Sequence, residues 1–119
     1  MEAKEYLSYL LAVPNKAKLA HLKVSGPGAY AAHNTLGEFY DSFAELADEL
    51  IEVYQGIYGI QDLNVPSVEY KDAVEALEEC RSYIQGSRYE VCKESHLQNI
   101  VDELVALIDR TLYKLENLK

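Results

Sequence analysis

The sequence predicts an all-α fold, an antiparallel four-helix bundle in a single domain spanning 1–119. Three observations predict it. Apolar residues recur at steps of three and four through four separate stretches. Gly and Pro fall between those stretches, in Ser25-Gly26-Pro27-Gly28, at Gly56 and Gly59, and at Pro66. The links between the four stretches are short or moderate.

The first helix opens over residues 3–12, where Tyr6, Leu7, Leu10 and Leu11 share a face. Pro14 fits a first turn but not an interior, so it kinks this helix or begins the next. The pattern resumes from Asn15 to Val24, with Leu19 and Leu22 facing inward beside His21. The second helix spans about Tyr30 to Tyr54, on the stripe Leu36, Phe39, Phe43, Leu46, Leu50 and Val53. The third starts at Pro66-Ser67, with Ser67 as N-cap, and carries Tyr70, Val74, Leu77, Arg81 and Ile84 before Gly86 ends it. The fourth begins between Arg88 and Ser95. Its seam is the most regular: Leu97, Ile100/Val101, Leu104, Leu107/Ile108, Leu112 and Leu115. The link between the second and third helices, roughly a dozen residues, is the longest. It leaves room for the single crossover of a ferritin-like bundle.

Composition narrows the function. A chain of 119 residues can bury a core without disulfides or metal, so a metal here serves function rather than folding. Apolar residues make up 49% and charged residues 26%, which is globular usage. The net charge is −9 and the eleven bases are scattered, so direct DNA binding is disfavoured. Cys80 and Cys92 form no CxxC, and reduced buried thiols in a cytoplasmic protein are expected. No apolar run reaches the length of a membrane span, and the N-terminal stretch has acids where a signal peptide has bases.

Residues 21–52 hold the chemistry. They contain His21 and His33 and the acids Glu38, Asp41, Glu45, Asp48, Glu49 and Glu52, with no Lys or Arg among the acids. Asp48 and Glu52 are at i and i+4, about 6 Å apart in rise on one helix face. Such a pair forms a solvated exterior or binds a hard or borderline cation, Fe²⁺ or Mn²⁺; imidazole suits Fe and Zn. His33 and Asp48 are fifteen residues apart on one helix, a rise of about 22 Å. They therefore cannot share a metal within one chain. A site using both must lie between subunits, where a two-fold axis brings His33 of one chain toward Asp48 and Glu52 of another.

The stretches AHLKVSGPGAYAAH and LGEFYDSFAELADELIE resemble the Dps family of mini-ferritins, with the pattern H-x11-H-x14-D-x3-E. His21, His33, Asp48 and Glu52 match it in type and interval, and Ser25-Gly26-Pro27 resembles the family's KGP-like turn. The resemblance covers the first two helices. It implies that the two histidines of one subunit and the two carboxylates of its neighbour bind Fe²⁺, that peroxide or O₂ oxidises it to Fe³⁺, and that a homo-oligomer, up to a dodecameric cage, holds the product. Mn or Zn are alternative ions. Three departures stand out. Leu22 replaces the aromatic beside the first histidine, the chain has no Trp, and Gly37 replaces the acid four residues after the second histidine. Asp41, one turn on, is a partial substitute. The shortness of the chain resembles the reduced Dps-like proteins encoded by some phages. That places the protein in a host cytoplasm or a virion. A second reading is a non-catalytic ferritin-fold structural or interaction protein using the same helices as an oligomerisation scaffold.

Other residues carry two readings each. His96 is a ligand, or a surface or capping histidine near the start of the fourth helix. Tyr30, Tyr40 and Tyr54 flank the site and carry electrons, or are core and interface rings with a wet hydroxyl. No nucleophile–base pair or phosphate loop is evident.

Overall fold

The structure, a computed structural model, describes all 119 residues and contains four helices and no strand: α1 Ala3–Lys23, α2 Ala29–Tyr58, α3 Ala73–Val91 and α4 Ser95–Asn117. The bundle measures 47 × 26 × 21 Å, and α2 at 30 residues runs its full long axis.

Contacts between helices fix the directions. The Tyr6 hydroxyl donates to the Ile84 carbonyl at 2.9 Å and Lys16 pairs with Glu79 at 3.8 Å, so α1 and α3 are antiparallel. Arg81 pairs with Asp109 at 2.6 Å and Arg88 reaches Gln98 at 2.6 Å, so α3 and α4 are antiparallel. Lys114 pairs with Glu38 at 3.8 Å and Tyr58 donates to Glu94, so α2 and α4 are too. Around the bundle the order is α1, α2, α4, α3. Helices α2 and α3 sit on a diagonal and run the same way. The link between them, residues 59–72, therefore crosses the length of the bundle. It passes Ser8, whose hydroxyl accepts from the Asn64 N–H at 2.9 Å, and reaches the other end of α1, where Lys23 lies 4.5 Å from the Tyr70 ring. One crossover of this kind separates ferritin-like bundles from up-down-up-down ones.

Several local expectations fail. Pro14 does not start a helix: it lies inside α1, which continues through it to Lys23. The face Tyr6, Leu10, Val13, Ala17 and Ala20 is buried along its whole length, and this packing outweighs the hydrogen bond that proline removes. Carrying that register through Pro14 turns Leu22 outward, 64% exposed. Helix α2 continues past Gly56 and stops only at Gly59, whose φ of 91° suits glycine. Ser67 caps nothing: α3 starts at Ala73, leaving Tyr70 in the link. Gly86 does not end α3, which continues to Val91. In α4, Leu112 packs half-buried against the core, and Thr111 beside it is more deeply buried, its hydroxyl donating to the Leu107 carbonyl at 2.8 Å.

The core draws on all four helices, with Tyr6, Leu10, Phe39, Phe43, Leu77, Ile84, Leu104 and Ile108 at or near zero exposure. Each such side chain contributes about 1.5–3 kcal/mol by leaving water. Both cysteines are free and buried. Burial pushes the Cys92 thiol up to about 11, with the Glu94 charge acting the same way. Burial also raises Cys80. These thiols are neutral in the fold, while an unfolded chain ionises them from about pH 8.5. Their stabilisation is thus complete below that pH and is lost as pH rises through the folded values. The urea midpoint is expected to fall between pH 8 and pH 11, and Cys92→Ala should remove part of the fall.

Candidate metal centre

His21 sits in the last turn of α1 and His33 in the first turns of α2, joined by the 24–28 turn. Gly26 and Gly28 both hold left-handed φ angles there, 83° and 82°, which reverse the chain in few residues. The reversal brings the imidazoles face to face, ring centroids 3.6 Å apart and 21° from parallel. Both rings are half-buried. Tyr40 sets its ring edge-on to His21 at 5.4 Å.

The bonds of the pair are reciprocal. His21 Nδ1 lies 2.6 Å from the His33 carbonyl oxygen, and His33 Nδ1 lies 3.1 Å from the His21 carbonyl oxygen. A carbonyl only accepts, so in the neutral ring each Nδ1 carries the proton and each Nε2 keeps its lone pair. Metal-ligating histidines are held in this way, the second nitrogen donating to a backbone carbonyl or carboxylate. The His21 carbonyl is free to accept because it belongs to the last turn of α1, where no intrahelical N–H remains.

Gly37 lies beside His21. A Cβ there would meet His21 Cε1 at 3.5 Å, ordinary contact, so glycine leaves the imidazole face clear and adds no ligand. Asp48 and Glu52 are exposed on the outer side of α2, as is Asp41 between them and the histidines. The rise from His33 to Asp48 along the straight helix is about 22 Å. Within one chain no three of the His, Cys, Asp and Glu side chains are placed to hold a metal. The structure thus brings together His21 and His33 and leaves the carboxylates apart. His96 is exposed in the first turn of α4, at the opposite end of the bundle from the histidine pair. Tyr30 is 80% exposed near the histidines, and Tyr54 is buried toward the far end of α2.

Residues 21–115 match the model of a family described as a family of unknown function, DUF5856. The chain belongs to DUF5856. No curated protein and no solved structure matches it. The DUF5856 match begins at His21 and ends at Leu115, so it takes in the histidine pair, the acids of α2, and α3 with most of α4. No helix is long and apolar enough to cross a membrane.

Proposed function

We propose that this DUF5856 protein is a Dps-like, ferritin-like protein that binds Fe²⁺ at a site completed by a second copy of itself. The observation that carries the proposal is the histidine pair: two imidazoles with Nδ1 tied to backbone carbonyls and Nε2 left to bind. Two nitrogens alone make a weak site for Fe²⁺, which takes oxygen ligands as well. Asp48 and Glu52 supply them when two α2 helices cross antiparallel about a two-fold axis near Asp41. Position 33 of one chain then faces roughly position 49 of the other, and two equivalent sites arise per dimer. At such a site ferrous ion is the substrate, peroxide or O₂ the oxidant, and a homo-oligomer, at its largest a dodecameric cage, retains the ferric product. The protein works in a cytoplasm, a host's where the gene is a phage's. The net charge of −9 attracts cations and opposes direct DNA binding.

A second reading rests on the same bonds. They tie the end of α1 to α2 and satisfy a free helix carbonyl, so the pair also serves as a structural clamp in a protein without turnover. Anaerobic Fe²⁺ titration with metal analysis separates the two. The wild type is expected to bind iron saturably and oxidise it on addition of peroxide, and His33→Ala to bind at least tenfold more weakly. Unchanged binding in His33→Ala refutes the site, and a monomer at high concentration by light scattering refutes its intersubnit completion.

A further inference from the structure

Three tyrosines meet where the first half of α1 packs on α3. Tyr9 and Tyr83 lie stacked, ring centroids 3.7 Å apart and 15° from parallel, and Tyr6 stands further from Tyr83 at 6.1 Å. Each phenol of the close pair is tied to a sulfur. The Tyr9 hydroxyl donates to Cys80 Sγ at 3.4 Å, and the Tyr83 hydroxyl donates to Met1 Sδ at 3.5 Å. The chain holds one methionine and two cysteines, so two of its three sulfurs end on this pair. Cys80 is fully buried. Both rings are half-buried and line a cleft of about 440 Å³ between α1, α3 and the α2–α3 link.

Core packing accounts for two rings on this boundary. It does not account for so close a stack, because ring quadrupoles favour centroids about 4.5–7 Å apart in offset or edge-on arrangements. Nor does it account for a sulfur at each hydroxyl. Together these features make a unit that gives up electrons easily. A hole on one ring spreads over both when the rings lie face to face, and a phenol that donates a hydrogen bond has the more electron-rich ring. The Lys16 ammonium, 5.1 Å from the Tyr9 ring, holds that ring's electrons, so Tyr83 is the first to lose one. Burial raises both phenols above their ordinary pKa, so each is neutral at neutral pH and parts with its proton only when it loses an electron.

We propose that Tyr9 and Tyr83 form an oxidation site, at which oxygen-centred radicals are quenched and α1 is joined to α3 through a dityrosine bond. A radical small enough for the cleft takes one electron and one proton from Tyr83 and becomes water or an alcohol. A second radical takes the same from Tyr9. The two ring radicals form a carbon–carbon bond between positions ortho to their hydroxyls. The hydrogen on each bonded carbon then moves, as a proton, to the oxygen of its own ring, which restores two phenols. The protein loses two electrons and two protons in all, and two radicals are removed before they reach the Cys80 thiol. The site is separate from the histidine pair, and its test uses no iron.

In that test the full chain, at low concentration, is oxidised with photogenerated tris(bipyridine)ruthenium(III) and persulfate, then run on a denaturing gel, digested with trypsin and mapped by mass spectrometry. Trypsin cuts after Lys4, Lys16, Arg81 and Arg88. The expected product, from the band at monomer mass, joins residues 5–16 to residues 82–88. It should be lighter than the two peptides by two hydrogen atoms and show dityrosine fluorescence. Tyr9→Phe and Tyr83→Phe should each lose it. Tyr6→Phe, which alters the neighbouring ring in the same peptide, should keep it. Circular dichroism checks that the variants keep their helices, and the wild-type map decides without them. Absence of the 5–16 to 82–88 product in the wild type, its persistence in Tyr9→Phe, or cross-links confined to the exposed rings of Tyr30, Tyr89 and Tyr113 would each overturn the proposal.

Discussion

Replacing Arg88 with alanine should lower the unfolding free energy by about 3 kcal/mol, read from urea denaturation. Arg88 is 5% exposed, the one buried charged side chain in the bundle. Its Nε donates to Gln98 Oε1 at 2.6 Å, its Nη1 to Gln85 Oε1 at 2.8 Å, and its Nη2 to the Gln98 carbonyl at 2.9 Å and to Asp102. Gln98 completes the circuit by donating to the carbonyls of Arg88 and Cys92, which closes the end of α3 onto α4. Alanine removes every donor on the guanidinium at once and leaves a void where its stem packed. The loss stays below that of a stranded buried charge because the Asp102 side chain is 64% exposed and water takes it up. Arg88→Met should recover the packing share alone, about a third to a half. Asp102→Asn should cost less than about 1 kcal/mol. For a domain this size the alanine variant should melt roughly 12–20 °C lower. A change within about 0.5 kcal/mol would mean that the network is not formed in solution.

Arg88 also shows where periodicity misleads. The four-helix fold was legible because the seams on α2 and α4 are long, and a long amphipathic face outweighs any single residue. The ends were not legible, because Pro14, Gly56 and Gly86 look like punctuation while tertiary packing carries the helices through them. Taking Gly86 as a stop left Arg88 outside α3. Extending the face Leu77, Cys80, Ile84 by one turn places it inside, together with Val91. The crossover was open on length alone. Its course depends on Asn64 meeting Ser8 and Tyr70 meeting Lys23, contacts that join distant positions.

The site divides in the same way. That His21 and His33 act together was implied by the resemblance to the Dps pattern. What orients them is backbone, the carbonyls of the two histidines themselves, and no residue type announces that. Gly37 stood out as a missing acid. In three dimensions it lies beside the His21 imidazole, where a Cβ would be in ordinary contact with the ring.

Mixing two inactive variants should restore iron binding, and this is the strongest test of a site shared between chains. His33→Ala keeps the carboxylates, and the double variant Asp48→Ala/Glu52→Ala keeps the histidines. Each alone should bind little Fe²⁺, because every site in its own oligomer lacks one half. When the two are unfolded, mixed in equal amounts and refolded together, half of the two-fold pairs should be mixed. Each mixed pair holds one site with both halves intact and one with neither, so about a quarter of the wild-type capacity should return. A site confined to one chain cannot be repaired by a partner, and it predicts no recovery at any ratio. A site made by the histidines alone predicts that Asp48→Ala/Glu52→Ala binds as the wild type does. The expected quarter therefore separates three geometries in one titration. It also does so without reference to rate, so a protein that binds iron and never oxidises it still gives the answer. The substitutions are mild enough for the comparison to be fair: Asp48 and Glu52 are exposed and make no ion pair or hydrogen bond, and alanine favours a helix interior. His33→Ala gives up the bond that holds the end of α1, worth about 1 kcal/mol, a loss a bundle with this core can absorb.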